Sequence, residues 1–186
     1  MKKIAISILS QILPIMLGVY LGFAMNNFGE NRKIRAQKVT FKNMLRNEVE
    51  TNLKSIENVS TYHVDLSNSF EELLQGDDTR EAFKQLQFGG FRPGFVSDSA
   101  YSTGIQTGII QEFDLDLIQN LNMLYTLQRK YNRFTENMVN SFLANKFPET
   151  DSEIRSVMTN ASMSMNDVLI FERELIANYQ RVLEVI

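Results

Sequence analysis

Residues 41–75 read FKNMLRNEVETNLKSIENVSTYHVDLSNSFEELLQ, and their spacing decides the fold class. No proline or glycine interrupts the chain from Asn31 to Gln75. Phe41, Leu45, Val49 and Leu53 recur at helical intervals, and Ile56, Val59, His63, Leu66, Phe70 and Leu73 continue in steps of 3, 4, 3, 4 and 3. Residues so spaced share one face of a helix. The segment therefore predicts a long helix with a seam for packing against other helices, ended by Gly76-Asp77-Asp78.

Toward the carboxyl end, Phe88, Phe91, Phe95 and Tyr101 crowd around Gly89, Gly90, Pro93 and Gly94. The glycines and proline force turns. So many aromatic rings predict, for 88–98, a loop folded back onto the protein rather than a solvated linker. The same four aromatics are the candidate ligand pocket or partner patch. Ser97 or Asp98 is expected to cap a short helix through Ala100, Tyr101 and Ile105 that stops at Gly108. Asp114 opens the next helix, whose face carries Leu117, Leu121, Leu124, Leu127, Tyr131, Phe134, Met138 and Phe142. A last helix is expected from near Ser164, with Asp167 three residues on, carrying Val168, Leu169, Leu175, Ile176, Tyr179, Val182 and Leu183. Three long amphipathic helices and one short one predict an all-α protein, with an antiparallel bundle over 49–186.

Composition agrees with that class. The 186 residues suit one domain, and three prolines and nine glycines are too few for a many-stranded sandwich or barrel. The chain has no cysteine and one histidine, which excludes disulfides, thiolate zinc, iron–sulfur clusters, cysteine nucleophiles and multi-histidine metal sites. No cofactor or metal is expected.

Toward the amino end, Lys2 and Lys3 precede Ile4–Met25, 22 residues without a formal charge. As a helix they measure about 33 Å against a hydrocarbon core of about 30 Å. Residues 1–25 are therefore expected to be a transmembrane anchor, and a cleaved signal peptide ending near Gly22-Phe23-Ala24 is the alternative. Ser10, Gly18 and Gly22 fall on one stripe, and Gly18 to Gly22 is a GxxxG, which points to close packing with a second membrane helix.

Residues 26–48 form a basic juxtamembrane helix with six Lys or Arg against two Glu, whereas residues 49–186 carry eleven basic and twenty acidic residues. Arg32, Lys33, Arg35 and Lys38 are the candidate contacts to anionic lipid. The positive-inside count places the body on the cytoplasmic side of an inner membrane, although a short basic start before an apolar run can also export the domain behind it. An acidic body without a recognition motif argues against nucleic acid.

Catalytic signatures are missing. Gly104 to Gly108 lacks the spacing of a phosphate-binding loop, and Glu71-Glu72, Asp77-Asp78, Asp114/Asp116 and Glu172/Glu174 diverge on a helix. His63, on the packing seam, has no partner implied by spacing and is expected to be an interface residue rather than a base. Ser60 stands where the Glu of a Glu-x-x-His di-iron motif would be.

The phrase Gly-Val-Tyr-Leu-Gly-Phe-Ala-Met-Asn-Asn-Phe-Gly-Glu-Asn-Arg-Lys at 18–33, with Ser99-Ala100-Tyr101, then Gly104 or Gly108 and Ile109, resembles a small membrane-anchored family of Bacteroidota, a domain of unknown function. Phe28 stands where that family usually has tryptophan. The resemblance implies an anchored helical domain and no known activity. The function expected is thus a single-pass helical interaction or structural module that dimerises or binds another membrane protein. A ligand-sensing bundle working through a membrane partner is the alternative.

Overall fold

The structure, a computed structural model, describes residues 2–76, 79–86, 88–144 and 148–186, with side chains from Met16 onward, Thr79 excepted. The described residues are helical, with turns and extended connections and no strand. The helices are α1 (Lys2–Gln75), α2 (Thr79–Gln85), α3 (Ser99–Thr107), α4 (Leu115–Ala144) and α5 (Asp151–Val185), and a short 3-10 turn spans Ile109–Glu112. Contacts divide the chain into two compact units, 1–43 and 44–186.

In the second unit, α1 buries the predicted seam: Leu45, Val49, Ile56, Leu66, Phe70 and Leu73 are all in the core. α5 runs antiparallel to α1. Arg46 donates to the carbonyls of Leu183 and Ile186 at one end, and Arg155 donates to those of Leu74 and Gly76 at the other. α4 instead runs parallel to α1, because Glu48 bonds Tyr125 and Asn52 bonds Gln128. The bundle is therefore not antiparallel throughout. Parallel neighbours need a connection that returns the length of the bundle, and residues 88–98 supply it as an extended strap between α1 and α4. The expectation that this aromatic loop folds back onto the bundle holds.

One helix boundary differs from expectation. The last helix begins thirteen residues earlier, at Asp151 rather than near Ser164. Thr150 and Glu153 form a reciprocal capping box, with the Thr150 hydroxyl on the Glu153 amide and the Glu153 carboxylate on the Thr150 amide. Ile154, Met158, Ala161 and Met165 continue the buried stripe from there. At α3, Ser97 rather than Asp98 is the one of the two expected caps that bonds a helix amide. Glu48, reaching across from α1, accepts the amides of Ala100 at 2.8 Å and Tyr101 at 3.3 Å, while Ser97 accepts that of Ser99. A carboxylate suits that place because it faces the positive end of the helix dipole. At the other end Gly108 stops α3 in the left-handed region, φ 75°, as expected.

Among the described residues no helix is long and apolar enough to cross a membrane. The expected span Ile4–Met25 falls partly on 4–15, whose side chains lie outside the described residues.

Candidate functional site

The strap is held by side chains bonded to its backbone. Asn52 grips Ser97 at both polar groups, accepting from its amide at 2.8 Å and donating to its carbonyl at 2.7 Å. Gln128 donates to the same carbonyl at 3.0 Å and accepts from Tyr179 at 2.7 Å. Farther along, Tyr62 donates to the Gly90 carbonyl at 2.6 Å. Between these ends Gly94 passes so close to α1 that a Cβ there would lie 2.7 Å from Ile56 Cδ1. Only glycine fits that approach without a neighbour moving.

The centre of the strap is fastened by a closed circuit. The Gly94 amide donates to the Tyr131 hydroxyl at 2.9 Å, which donates to Glu172 Oε1 at 3.1 Å. His63 Nδ1 lies 2.7 Å from the same oxygen, and His63 Nε2 lies 2.5 Å from the Phe91 carbonyl. His63 is 1% exposed and Glu172 is fully buried. A carbonyl can only accept, so Nε2 carries a proton. Oε1 also accepts from Tyr131, and one further proton lies between Oε1 and Nδ1, within the pair. This is a buried histidine–glutamate pair that shares that proton. Burial alone lowers the basicity of His63, but the hydrogen bond and negative charge of Glu172, with the carbonyls of Phe91 and Arg92, leave its pKa raised. Burial, and then neighbouring carboxylates, push Tyr125 and Tyr131 well above the ordinary phenol range. Burial also raises Tyr179, reinforced by Tyr131 and Glu48. These phenols act as neutral donors.

His63 is therefore a satisfied core histidine, as expected, with a partner 109 residues away. Of the acidic pair Glu172/Glu174, the first is in the core and the second is exposed. Sequence reasoning names Glu172 only as half of a diverging acidic pair and does not single out Glu48, Asn52 or Gln128. The available signal was position: Glu172 lies between Val168 and Leu175 on the buried face of α5.

The four candidate aromatics do not share one pocket. Phe88 and Phe91 meet edge-on with centroids 5.1 Å apart, and both contact Phe142. Tyr101 stacks instead on Tyr125 at 4.2 Å, and Phe95 is 91% exposed. Phe88 does line a cavity of about 600 Å³, walled by Phe70, Phe83, Leu86, Phe142 and Met158. Arg80 and Lys84 stand at this cavity, where Asp151 and Glu81 pair with them.

The candidate membrane-packing residues lie in the first unit. Gly18 and Gly22 have no other atom within 4 Å of where a Cβ would sit, and the Ser10 side chain lies outside the described residues. Arg32, Lys33 and Arg35 are exposed and Lys38 is half-buried. Among the described residues no cluster of three or more His, Cys, Asp or Glu could hold a metal ion. No protein family, curated protein or solved structure matches the chain, so its function is argued from this geometry.

Proposed function

We propose that the chain is a membrane-anchored helical interaction module, with residues 1–25 in an inner membrane and a body that binds a second copy or another membrane protein. The observation that carries this reading is the first part of α1. Met16, Leu17, Val19, Tyr20, Leu21, Phe23, Met25 and Phe28 are exposed over most of the helix surface, all but the face of Gly18 and Gly22. Apolar side chains all round a helix require a lipid or protein environment. The uncharged run Ile4–Met25, the basic residues after it and the resemblance at 18–33 support the same reading. The basic stretch favours a cytoplasmic body beside anionic lipid. No catalytic step is assigned, since the one imidazole is buried with both nitrogens bonded.

The test is fractionation of the full chain expressed in bacteria. Retention in the membrane pellet after carbonate extraction is expected, with loss of retention in Leu17→Arg/Leu21→Arg; an extractable wild-type chain overturns the anchor. Cross-linking in the same membranes should give a discrete dimer or a single partner adduct, and a monomer throughout would count against the module.

The cavity favours a second reading, a bundle that takes a small apolar ligand. Its volume is within the range usual for ligand sites and its walls are mostly aromatic and aliphatic. The chain has no tryptophan, so Phe88→Trp provides a unique reporter. Saturable quenching by a brominated long-chain alcohol supports this reading, and purely linear, partition-like quenching removes it.

A further inference from the structure

The His63–Glu172 pair presents a specific problem in proton bookkeeping. Both nitrogens of the ring face acceptors, Glu172 Oε1 on one side and the Phe91 carbonyl on the other. Both contacts are satisfied while the pair holds two protons, one on Nε2 and one between Nδ1 and Oε1. If one proton leaves, the carboxylate, as the stronger acceptor, keeps Nδ1–H, and a nitrogen lone pair then faces the Phe91 carbonyl at 2.5 Å. That contact is repulsive. The strap is poised at this point, because Gly90 and Arg92, on either side of Phe91, both have positive φ, 87° and 43°. Arg92 is not glycine, so its conformation is strained and must be held by its surroundings.

The titratable and charged groups around the imidazole are few. Glu172 comes from α5, and Tyr131 from α4 shares its oxygen. Tyr62 from α1 lies 5.7 Å away ring to ring, and the Arg92 guanidinium sits 4.7 Å over the Tyr62 ring. Nothing in this set replaces a lost imidazole proton. The other strap anchor, Asn52 on Ser97, contains no titratable group.

We propose that His63 and Glu172 form a proton-controlled clasp that holds the centre of the 88–98 strap, so that removing one proton from the pair releases the Phe91 carbonyl and thereby loosens the strap at Gly94, three residues on, while Ser97 stays anchored. The clasp acts on the wall of the cavity, since Phe88 lines it and Phe91 packs on Phe88. It does not depend on whether residues 1–25 sit in a bilayer.

The experiment is pulsed amide exchange on the full chain in mild detergent from pH 6 to pH 9, expressed as protection factors to remove the intrinsic pH dependence of exchange. Gly94 should lose protection by about tenfold or more, the scale of one charge-assisted hydrogen bond, while Ser97 keeps its protection. In Glu172→Gln the Gly94 transition should move to lower pH, and in His63→Gln it should vanish. Constant Gly94 protection, equal loss at Gly94 and Ser97, or an unchanged transition in His63→Gln overturns the clasp. Should His63→Gln fail to fold, nitrogen-15 labelling of the single histidine in the wild-type chain gives the same answer. Its loss of one proton should coincide in pH with the opening at Gly94, and a separation of the two midpoints refutes the proposal.

Discussion

The two ends of α1 obey the same helical geometry and live in different surroundings. Between Met16 and Phe28 apolar side chains cover most of the helix surface and remain exposed, whereas between Leu45 and Leu73 they form one stripe and are buried. Secondary structure alone does not distinguish them. What differs is period: a continuous apolar cylinder has no polar face to turn to water, while a 3–4 stripe has one face for the core and one for solvent. The buried stripe is also not purely apolar, since Asn52, His63 and Ser67 belong to it. Substitutions in the packed region should therefore act on stability, and substitutions in the exposed region on location.

The largest effect should come from breaking the buried pair. Glu172→Ala removes the partner of a buried histidine and of the Tyr131 hydroxyl and should cost about 3–5 kcal/mol in denaturant unfolding of the full chain. The same pair sets a pH dependence. The folded pKa of His63 is raised above 6.5, so its stabilisation is fully present below that value and is lost as pH rises through the folded value. Unfolding free energy should decline above neutral pH, and His63→Gln should flatten the profile. Next, Ile56→Ala, at a fully buried seam position, should cost about 2–5 kcal/mol through lost transfer energy and a residual cavity. Gly94→Ala places a Cβ against Ile56 and Tyr131 and should cost about 1–3 kcal/mol, the usual penalty of overpacking. Smallest, Leu21→Ala in the exposed region should change unfolding by less than about 0.5 kcal/mol. A larger loss there would show that this end of α1 is packed in the folded chain after all.

The seam of α1 and the short helix ending at Gly108 were legible because each depends on neighbours within a few residues. The start of α5 was equally local, but Ser164 and Asp167 offered a competing signal, and the better capping box at Thr150 and Glu153 lay farther upstream. The site was much less legible. Glu172 reads as one acid among twenty-two. Its role emerges only when α5 lies antiparallel to α1 and brings it to His63. Glu48 likewise caps a helix fifty residues ahead, and Gln128 interrupts an apolar stripe where the strap needs a donor. No spacing rule spans such distances. The parallel placement of α4 escaped for the same reason, since it depends on the strap returning the length of the bundle.

The 109-residue separation of His63 and Glu172 also sets a schedule for synthesis. At about 5–20 residues per second, the carboxylate emerges from the ribosome roughly 5–20 s after the imidazole. Through that interval Asn52, His63 and the apolar stripe of α1 are made but unmatched, while the strap and α4 come out in turn. The nascent chain thus carries an incomplete core until its last helix appears, and slowing translation after residue 144 should lengthen its dependence on chaperones.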